Sequence, residues 1–504
     1  MTAMMTRAES RLNRFTMYRL ILWILGVLAV YAMALTVLGW LTFSTLPEML
    51  VHLVLCLGLT YASNRALAAL FKVRPHSESS LITGFLIFFL FWPSFGVLDM
   101  AGVALACVLA SASKYALAWR GRHVFNPAAL GAFVTGLTGL NVATWWAGTP
   151  AMLILLVPGV LLVLYRTRKM LMASIFVVVS TSVITLELMR AGMSAGTGIW
   201  QALAQRPVLF FVGFMLSEPL TLPPRRWQQL TLAAVVGVVF ATPYNFGFVA
   251  NSPEAALLLG NLLAFLVGQR GGVKLTLAGT RQLTPSTTEF SFAPARPVRF
   301  QAGQYMELDL PHARSDGKGR RRVFSLTGSP TDRLVSFGVR TAEPLSAAKK
   351  VLLNLAPGES LSATSVGGDF VLPRNPDKPV LLIAAGIGIT PFLSHLASGG
   401  LKGRDAVLLV LARTADEIAY AEELRSAGLR VLVKLGDGSA PPADMAGIPV
   451  GTERLDGDAL KALVPDLASR EVYVSGSPAS VAALRRAARS GGARRIHTDS
   501  FAGY

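Results

Sequence analysis

The first half of this chain is a succession of apolar runs, and a run able to cross a ~30 Å hydrocarbon layer must satisfy its own backbone as a helix. The runs begin at Tyr18, recur to Leu266, and are separated by short polar gaps. About ten spans are expected, over 18–43, 48–64, 81–97, 98–118, 126–142, 150–165, 170–188, 207–222, 228–248 and 254–269. Charged residues make up only 15% of the 504; they sit in the gaps up to Arg270 and are spread throughout thereafter. That shift predicts a basic N-terminus over 1–17, a transmembrane domain over 18–270, and two soluble domains over 271–378 and 379–504. The first apolar run is longer than a signal-peptide core and lacks a small-residue cleavage site, so it reads as a retained anchor.

Lys and Arg set the orientation. If the segment with Arg7, Arg11, Arg14 and Arg19 is cytoplasmic, alternate gaps carry Arg65, Lys72 and Arg74, then Arg120 and Arg122, then Arg166, Arg168 and Lys169, then Arg225 and Arg226. The opposite gaps carry only Arg190 and Arg206. The positive-inside rule therefore predicts a multi-pass protein of a bacterial cytoplasmic (inner) membrane with both termini cytoplasmic. The net charge of +18 is in part this topology signal, which argues against a nucleic-acid partner. Cys56 and Cys107 are too few to ligate an iron–sulfur cluster within the chain. His52, His76 and His123 cannot supply the paired axial ligands of a haem relay, and no metal site is expected.

The apolar half repeats itself. "GFLIFFLFWP" (84–93) parallels "GFMLSEPLTLP" (213–223), and "NPAALG" (126–131) parallels "NSPEAALLLG" (251–260). With the spans counted above, one copy enters from the cytoplasm and the other from outside, which makes the repeat inverted. Pro-broken helices at matching positions of inverted repeats point to a site at the repeat interface, where helix N-termini can face an anionic group. Glu218 reads either as a carboxylate of that site or as a group at the cytoplasmic interface, about two turns from Arg225.

"GRHVFNPAALGAF" and "FMLSEPLTLPPRRW", with "NSPEAALLLGNLLAFL", resemble the membrane subunits of the sodium-pumping NADH:quinone oxidoreductase and of the Rnf complex, over approximately residues 18–270. The resemblance implies a ten-helix inverted-repeat fold that carries flavin, commonly an FMN esterified to Thr in a Ser-Gly-Ala-Thr stretch. The corresponding loop here, "GLTGLNVATWWAGTPAM", lacks that tetrapeptide although it contains Thr144 and Thr149, and Glu218 stands where the family has Asp. FMN or another flavin held without a covalent bond is expected, near Asn126, Pro127, Thr149, Ser217, Glu218 and Pro219.

After Arg270 the pattern changes to period-two alternation in "VKLTLAGTRQLT", "TTEFSFAP", "QYMELDL", "RRVFSLTG", "RLVSFGVR" and "ESLSATSV", the signature of a small antiparallel barrel. From Pro379, "PVLLIAAGIGITP", "AVLLVLARTADEIAYAEELR", "RVLVKLGD" and "EVYVSGSP" read as βα units. This order resembles the ferredoxin–NADP reductase superfamily over 273–504, so the fold class expected is a polytopic α-helical membrane domain fused to an antiparallel β-barrel and an α/β nucleotide-binding domain. Arg322-Val323-Phe324-Ser325 matches the superfamily's Arg-x-Tyr-Ser signature. The resemblance implies that Arg322 clamps the FAD pyrophosphate, Phe324 packs on the isoalloxazine and Ser325 reaches its N5. Tyr305, Val339, Arg340, Ser346 and Gly368 complete the expected flavin-binding set.

Gly386, Gly388, Thr390 and Pro391 follow an apolar strand and open a helix, an arrangement that lets backbone amides approach a nicotinamide nucleotide. Ser475, Gly476 and Pro478 stand where the superfamily has Cys-Gly-x-Pro. Arg413 stands where a 2′-phosphate can be held, which leaves NADPH and NADH both open. The superfamily's terminal aromatic falls on Phe501, with Tyr504 as a second candidate. Ser325, Thr390, Ser475 and Phe501 are the expected catalytic group. Together the halves predict hydride transfer from cytoplasmic NAD(P)H to FAD and single-electron passage through the membrane flavin to an extracytoplasmic acceptor. Membrane-bound NAD(P)H:quinone reduction and redox-coupled ion transport are the alternatives. The expected partners are NAD(P)H, the lipid bilayer, that acceptor or a quinone, and a second copy of the chain.

Overall fold

The computed structural model describes residues 17–501 except 74, 76, 120, 121, 248, 268–271, 312–320, 344, 441, 443, 444 and 446–454. The expected site residue Tyr504 lies outside the described residues. The chain divides into two compact units, one containing Phe15–Gly271 and the other Gly272–Tyr504.

The first unit is helical: α1 (Met17–Val37), α2 (Leu46–Leu70), α3 (Ser77–Leu90), α4 (Val97–Ala116), α5 (Pro127–Thr138), α6 (Leu153–Thr167), α7 (Met170–Arg190), α8 (Ala195–Ala204), α9 (Val208–Leu216), α10 (Arg226–Ala241) and α11 (Pro253–Val267). Among the described residues, five helices have the length and composition to cross a membrane, counting α6 from Pro150. The bent pair α8 and α9, which meet at 51°, makes a sixth if taken as one span. The ten full spans expected are not confirmed by these lengths. α3, α5 and α11 have 14, 12 and 15 residues, well short of the ~20 a straight crossing needs. The causes are local. Pro127 and Pro253 start their helices, where a missing N–H costs nothing. Gly139, at φ +72°, ends α5 in the left-handed conformation. α8 lies in what the sequence pattern treats as a gap; its start carries Ser194, whose hydroxyl accepts from the Thr197 amide.

The packing order of the two halves is the same. α1 packs on α3, α2 on α3 and α4, and α4 on α5; correspondingly α6 packs on α9, α7 on α9 and α10, and α10 on α11. α1 meets α6 and α5 meets α11 across the halves.

The second unit holds a six-stranded antiparallel barrel sheet and a five-stranded parallel sheet. The barrel strands are β1 (Val273–Thr284), β2 (Thr287–Pro294), β3 (Tyr305–Asp309), β4 (Arg321–Ser325), β5 (Val335–Arg340) and β6 (Ser360–Gly367), in the order β4-β3-β6-β1-β2-β5. A bridge between Leu326 and Phe337 joins its two ends. Alternate residues Leu275, Leu277, Phe290, Phe292, Met306, Leu308 and Phe337 fill the interior. β7 (Val380–Ala385), β8 (Ala406–Ala412), β9 (Arg430–Leu435), β10 (Glu471–Gly476) and β11 (Arg495–Ser500) form the parallel sheet, ordered β9-β8-β7-β10-β11. β7 is apolar throughout because helices cover both faces. Leu382 and Ala384 pack with Phe392 of α13 (Thr390–Ala397), and Leu381 and Ile383 with Leu460 of α15 (Gly457–Leu463) and Leu484 of α16 (Pro478–Ser490). Two short helices complete the unit, α12 (Ala347–Leu353) after β5 and α14 (Ala421–Arg425) after β8.

His395 of α13 pins the two sheets together. Its Nε2 lies 3.2 Å from the Phe370 carbonyl, and a Cβ at Gly303 would fall 2.5 Å from the same nitrogen. Burial, with Arg404 nearby, pushes its pKa down to about 4. The unfolded chain binds a proton here near pH 6.5 and the folded one does not, so stability is intact above pH 6.5 and falls as pH drops from there towards 4. The unit is expected to lose up to about 3 kcal/mol over that window through this group. His395→Gln should flatten that part of the denaturation midpoint against pH curve.

Candidate functional site

Three turns of the second unit converge on one edge of the parallel sheet. Gly386 leaves β7 with φ +56°, a conformation open to glycine, and begins the tight turn Gly386–Ile389. Gly388 then lies so close to the end of β10 that a Cβ on it would come 2.3 Å from the Ser475 carbonyl oxygen. The Thr390 hydroxyl donates to the Ile387 carbonyl at 3.1 Å and closes the turn, and Pro391 occupies the first turn of α13. Gly476, at φ +153°, ends β10, and its carbonyl accepts from the Phe501 amide at 3.0 Å. Gly386, Gly388, Thr390, Ser475, Gly476 and Phe501 are thus brought together. Pro478 begins α16 behind the Ser477 cap and is exposed. Arg413 is exposed just past β8, where its carbonyl accepts from the Gly436 and Asp437 amides.

On the barrel, Tyr305 pairs with Ser325 and Leu308 with Arg322, so the signature strand β4 lies alongside β3. Gly368, at φ +111°, follows β6, and a Cβ there would approach the Tyr305 ring to 3.1 Å. Arg322 is buried and its Nη1 donates to the Arg321 carbonyl at 2.9 Å. Phe324 lies 6.1 Å from the Phe337 ring, centroid to centroid, at the barrel's end. Val323 is half-buried between them, Val339 is buried and Arg340 exposed. Ser346 caps α12 by accepting from the Lys349 amide, a structural use of its hydroxyl.

Two hydroxyls of this unit do not fit a purely structural account. Ser325 Oγ and Ser475 Oγ are buried and have no hydrogen-bond partner among the described residues. A buried polar group without a partner costs about 1–3 kcal/mol, so a pair of them on the expected cofactor path is what a bound ligand would satisfy. With the glycine turns that leave no room for a side chain, the residues present fit a flavin and a nicotinamide nucleotide.

The expected membrane-flavin residues divide. Glu218 follows the broken helix α9, whose last six residues, Phe211–Leu216, are π-helical. Its Oε1 lies 2.9 Å from His123 Nε2, and its Oε2 accepts from Asn126 Nδ2 at 2.8 Å. The Asn126 amide donates to Asn261 Oδ1 at 2.7 Å, and the Ser217 hydroxyl to the Gly213 carbonyl at 2.8 Å. Pro127 and Pro219 flank this network in the chain. Thr149 lies elsewhere, in the segment before α6 where Gly148 meets Pro207. Thr149 is not part of this network, and its buried hydroxyl has no partner among the described residues. The matching break after α3 is held likewise: the Leu90 carbonyl accepts from the Thr144 and Trp145 amides, Trp146 Nε1 donates to the Phe88 and Phe91 carbonyls, and Trp145 Nε1 donates to Glu254 Oε2 at 2.9 Å. Sequence reading missed His123, Asn261, Trp145 and Glu254 as partners. The asparagine and carboxylate placed beside Pro at the starts of α5 and α11 were the available signal.

Gly388→Ala is expected to force β10 and the turn apart, with about 1–3 kcal/mol lost in thermal unfolding and loss of nucleotide binding. Gly436→Ala, whose Cβ would meet nothing closer than 3.6 Å, should be tolerated.

No family model matches the chain. It is similar to the heme-dependent oxidative N-demethylase beta subunit of Ectopseudomonas mendocina, with 30% identity over 233 residues covering 45% of this chain and 68% of that protein. It is also similar to ferredoxin–NADP reductase B of Sorangium cellulosum, 32% identical over 155 residues, 30% of this chain and 62% of that one. The ferredoxin reductase component of a 3-ketosteroid-9-alpha-monooxygenase from Rhodococcus rhodochrous is 32% identical over 160 residues, 31% of this chain and 45% of that one. The chain thus spans about half to two thirds of the length of these curated relatives. A solved ferredoxin NADP+ reductase from Neisseria gonorrhoeae aligns with 45% of this chain and 98% of its own, at 16% identity and a TM-score of 0.40. Through its C-terminal unit the chain belongs to the ferredoxin reductase-like, NAD(P)H-dependent flavin oxidoreductases of electron-transfer chains.

Proposed function

We propose that this protein takes hydride from cytoplasmic NAD(P)H in its C-terminal unit and passes the electrons through its helical unit to an acceptor outside a bacterial cytoplasmic membrane. The observation that carries the membrane half is the pair of broken helices, α3 and α9. They occupy equivalent places in two halves that pack in the same order, and the α9 break is bonded to the start of α5 while the α3 break is bonded through Trp145 to the start of α11. Such paired breaks mark a site reached from two sides of a membrane unit. The Lys and Arg of alternate gaps support a cytoplasmic place for the reductase.

In this reading Arg322 holds the FAD pyrophosphate on β4, while Phe324, Tyr305 and Gly368 border the flavin. The Gly386–Ile389 turn and the end of β10 receive the nicotinamide nucleotide. Ser325 and Ser475 offer their free hydroxyls to the two reacting rings, and Phe501, tied to Gly476, guards the approach. FAD, when bound, accepts two electrons as a hydride and releases them one at a time. Asn126 and Glu218 lie in the helical unit and bond one another. If those groups serve only to join the two halves, the second reading, a membrane-bound NAD(P)H:quinone reductase, needs no membrane flavin.

Proteoliposomes decide between them. Transmembrane transfer predicts that NAD(P)H added on the reductase side reduces an impermeant oxidant trapped on the other side, with quinone-free lipid and with two flavins extracted per chain. A requirement for lipid quinone, with one FAD per chain, would establish the second reading instead. Ser325→Ala tests the reductase site. Removing an unpartnered hydroxyl should leave stability unchanged or raise it by about 1 kcal/mol, while flavin reduction followed by absorbance slows about tenfold.

A further inference from the structure

One carboxylate joins the two sides of the proposed hydride path. Glu289, on β2, accepts from the Tyr420 hydroxyl at 3.0 Å and from the Thr327 hydroxyl at 3.1 Å through the same Oε1. Its other oxygen accepts from Arg281 Nε at 3.1 Å. Arg281 also pairs with Glu423, and its guanidinium carbon lies 5.6 Å from the centre of the Tyr420 ring. Thr327 lies on the barrel, two residues beyond Ser325. Tyr420 belongs to the parallel-sheet side, immediately before α14.

Tyr420 is held there under backbone strain. It is 3% exposed and has φ +62°, a left-handed conformation that an aromatic residue rarely adopts. Such strain persists where surrounding contacts over-determine it, and it concentrates at functional sites. The Tyr420 hydroxyl also borders Gly338 of β5: a Cβ there would lie 2.6 Å from Tyr420 Oη and 2.8 Å from Thr390 Cγ2. Tyr420 and Thr390 therefore press on the same glycine of the barrel, and Thr390 closes the Gly386–Ile389 turn through Ile387. Glu289 thus bonds Thr327, two residues past the strand that carries Ser325, and Tyr420, which meets Gly338 beside Thr390.

We propose that the Tyr420–Glu289 hydrogen bond is a positioning latch: it sets where the Gly386–Thr390 turn stands against the flavin-binding barrel, and so the alignment of nicotinamide with flavin. The inference rests on the reading that this turn receives the nicotinamide. Reacting atoms must approach to about 3–3.5 Å, and a misplacement near 1 Å lowers rates about 100-fold, so a bond that spans the two folds has leverage on the rate. The latch can also be removed cleanly. Without the Tyr420 hydroxyl, Glu289 keeps its bonds from Thr327 and Arg281 and is not stranded.

The test uses the full-length flavin-loaded protein. Tyr420→Phe is expected to slow flavin reduction by NAD(P)H about 10- to 100-fold in stopped flow, with KM for NAD(P)H changed less than threefold. Amide hydrogen exchange over residues 386–390 should rise in the same variant, with or without nucleotide. Glu289→Gln, which still accepts from both hydroxyls, should retain most of the rate. Gly338→Ala, which pushes Tyr420 and Thr390 from the barrel side, should reproduce the slow phenotype if Tyr420→Phe does not fold. Thr390→Ala separates the two levels of inference. If it slows reduction while Tyr420→Phe leaves both rate and exchange unchanged, the latch is overturned and the nicotinamide site stands. If Thr390→Ala alters neither nucleotide binding nor rate, the site reading falls and the latch with it.

Discussion

A polar group removed from water costs free energy unless it finds a partner, and that constraint governs how the breaks and turns of this protein are held. In the helical unit the two helix breaks meet it, while the buried Thr135, Thr149, Thr181 and Thr185 hydroxyls have no partner among the described residues. The helix end freed at Leu90 is taken up by Thr144 and Trp145, and the Glu218 carboxylate beside Pro219 by His123 and Asn126. Both breaks are thereby fixed to the starts of short helices from the opposite half, which makes the two halves one body. In the reductase unit the constraint is violated at Ser325 and Ser475, where the expected substrates come together.

The reductase site depends on close backbone approach more than on charge. Gly388 sits against the Ser475 carbonyl and Gly368 against the Tyr305 ring, so the turns that face the cofactors lie nearer to their strands than any larger residue permits. Charge enters one layer further out, at Glu289, where Arg281, Thr327 and Tyr420 converge. Burial raises the Tyr420 hydroxyl above its usual pKa, with the Glu289 carboxylate adding to the effect, which keeps the phenol a donor throughout the working pH range. His395 plays a similar part deeper in the unit, as a neutral imidazole wedged between Phe370 and Gly303.

Much of this was legible in residue order. The change from long apolar runs to alternating strands near Arg270, the antiparallel and then parallel strand patterns, and the ordered Arg322 to Ser325 and Gly386 to Pro391 motifs all speak through local periodicity and turn chemistry. Helix length was less legible. Hydropathy carries on through Phe91 and Trp92 and through Leu140, while the helices stop at Leu90 and Thr138, because hydropathy records apolar character and not the backbone termination imposed by Pro93 or Gly139. α8 was missed for the converse reason: a ten-residue helix with a Ser cap is too short to raise a hydropathy signal.

By itself the amino-acid sequence determined the division into an apolar helical part and a reductase part, and the strand and turn motifs of the latter, since each depends on neighbours a few residues apart. Only the tertiary structure decided which polar groups are spent on one another and which are not. Glu218 and Asn126 stand 92 positions apart, and Tyr420 and Glu289 stand 131 apart. A hydrogen bond acts over about 3 Å, and no local pattern records that the folded chain brings such groups within that distance.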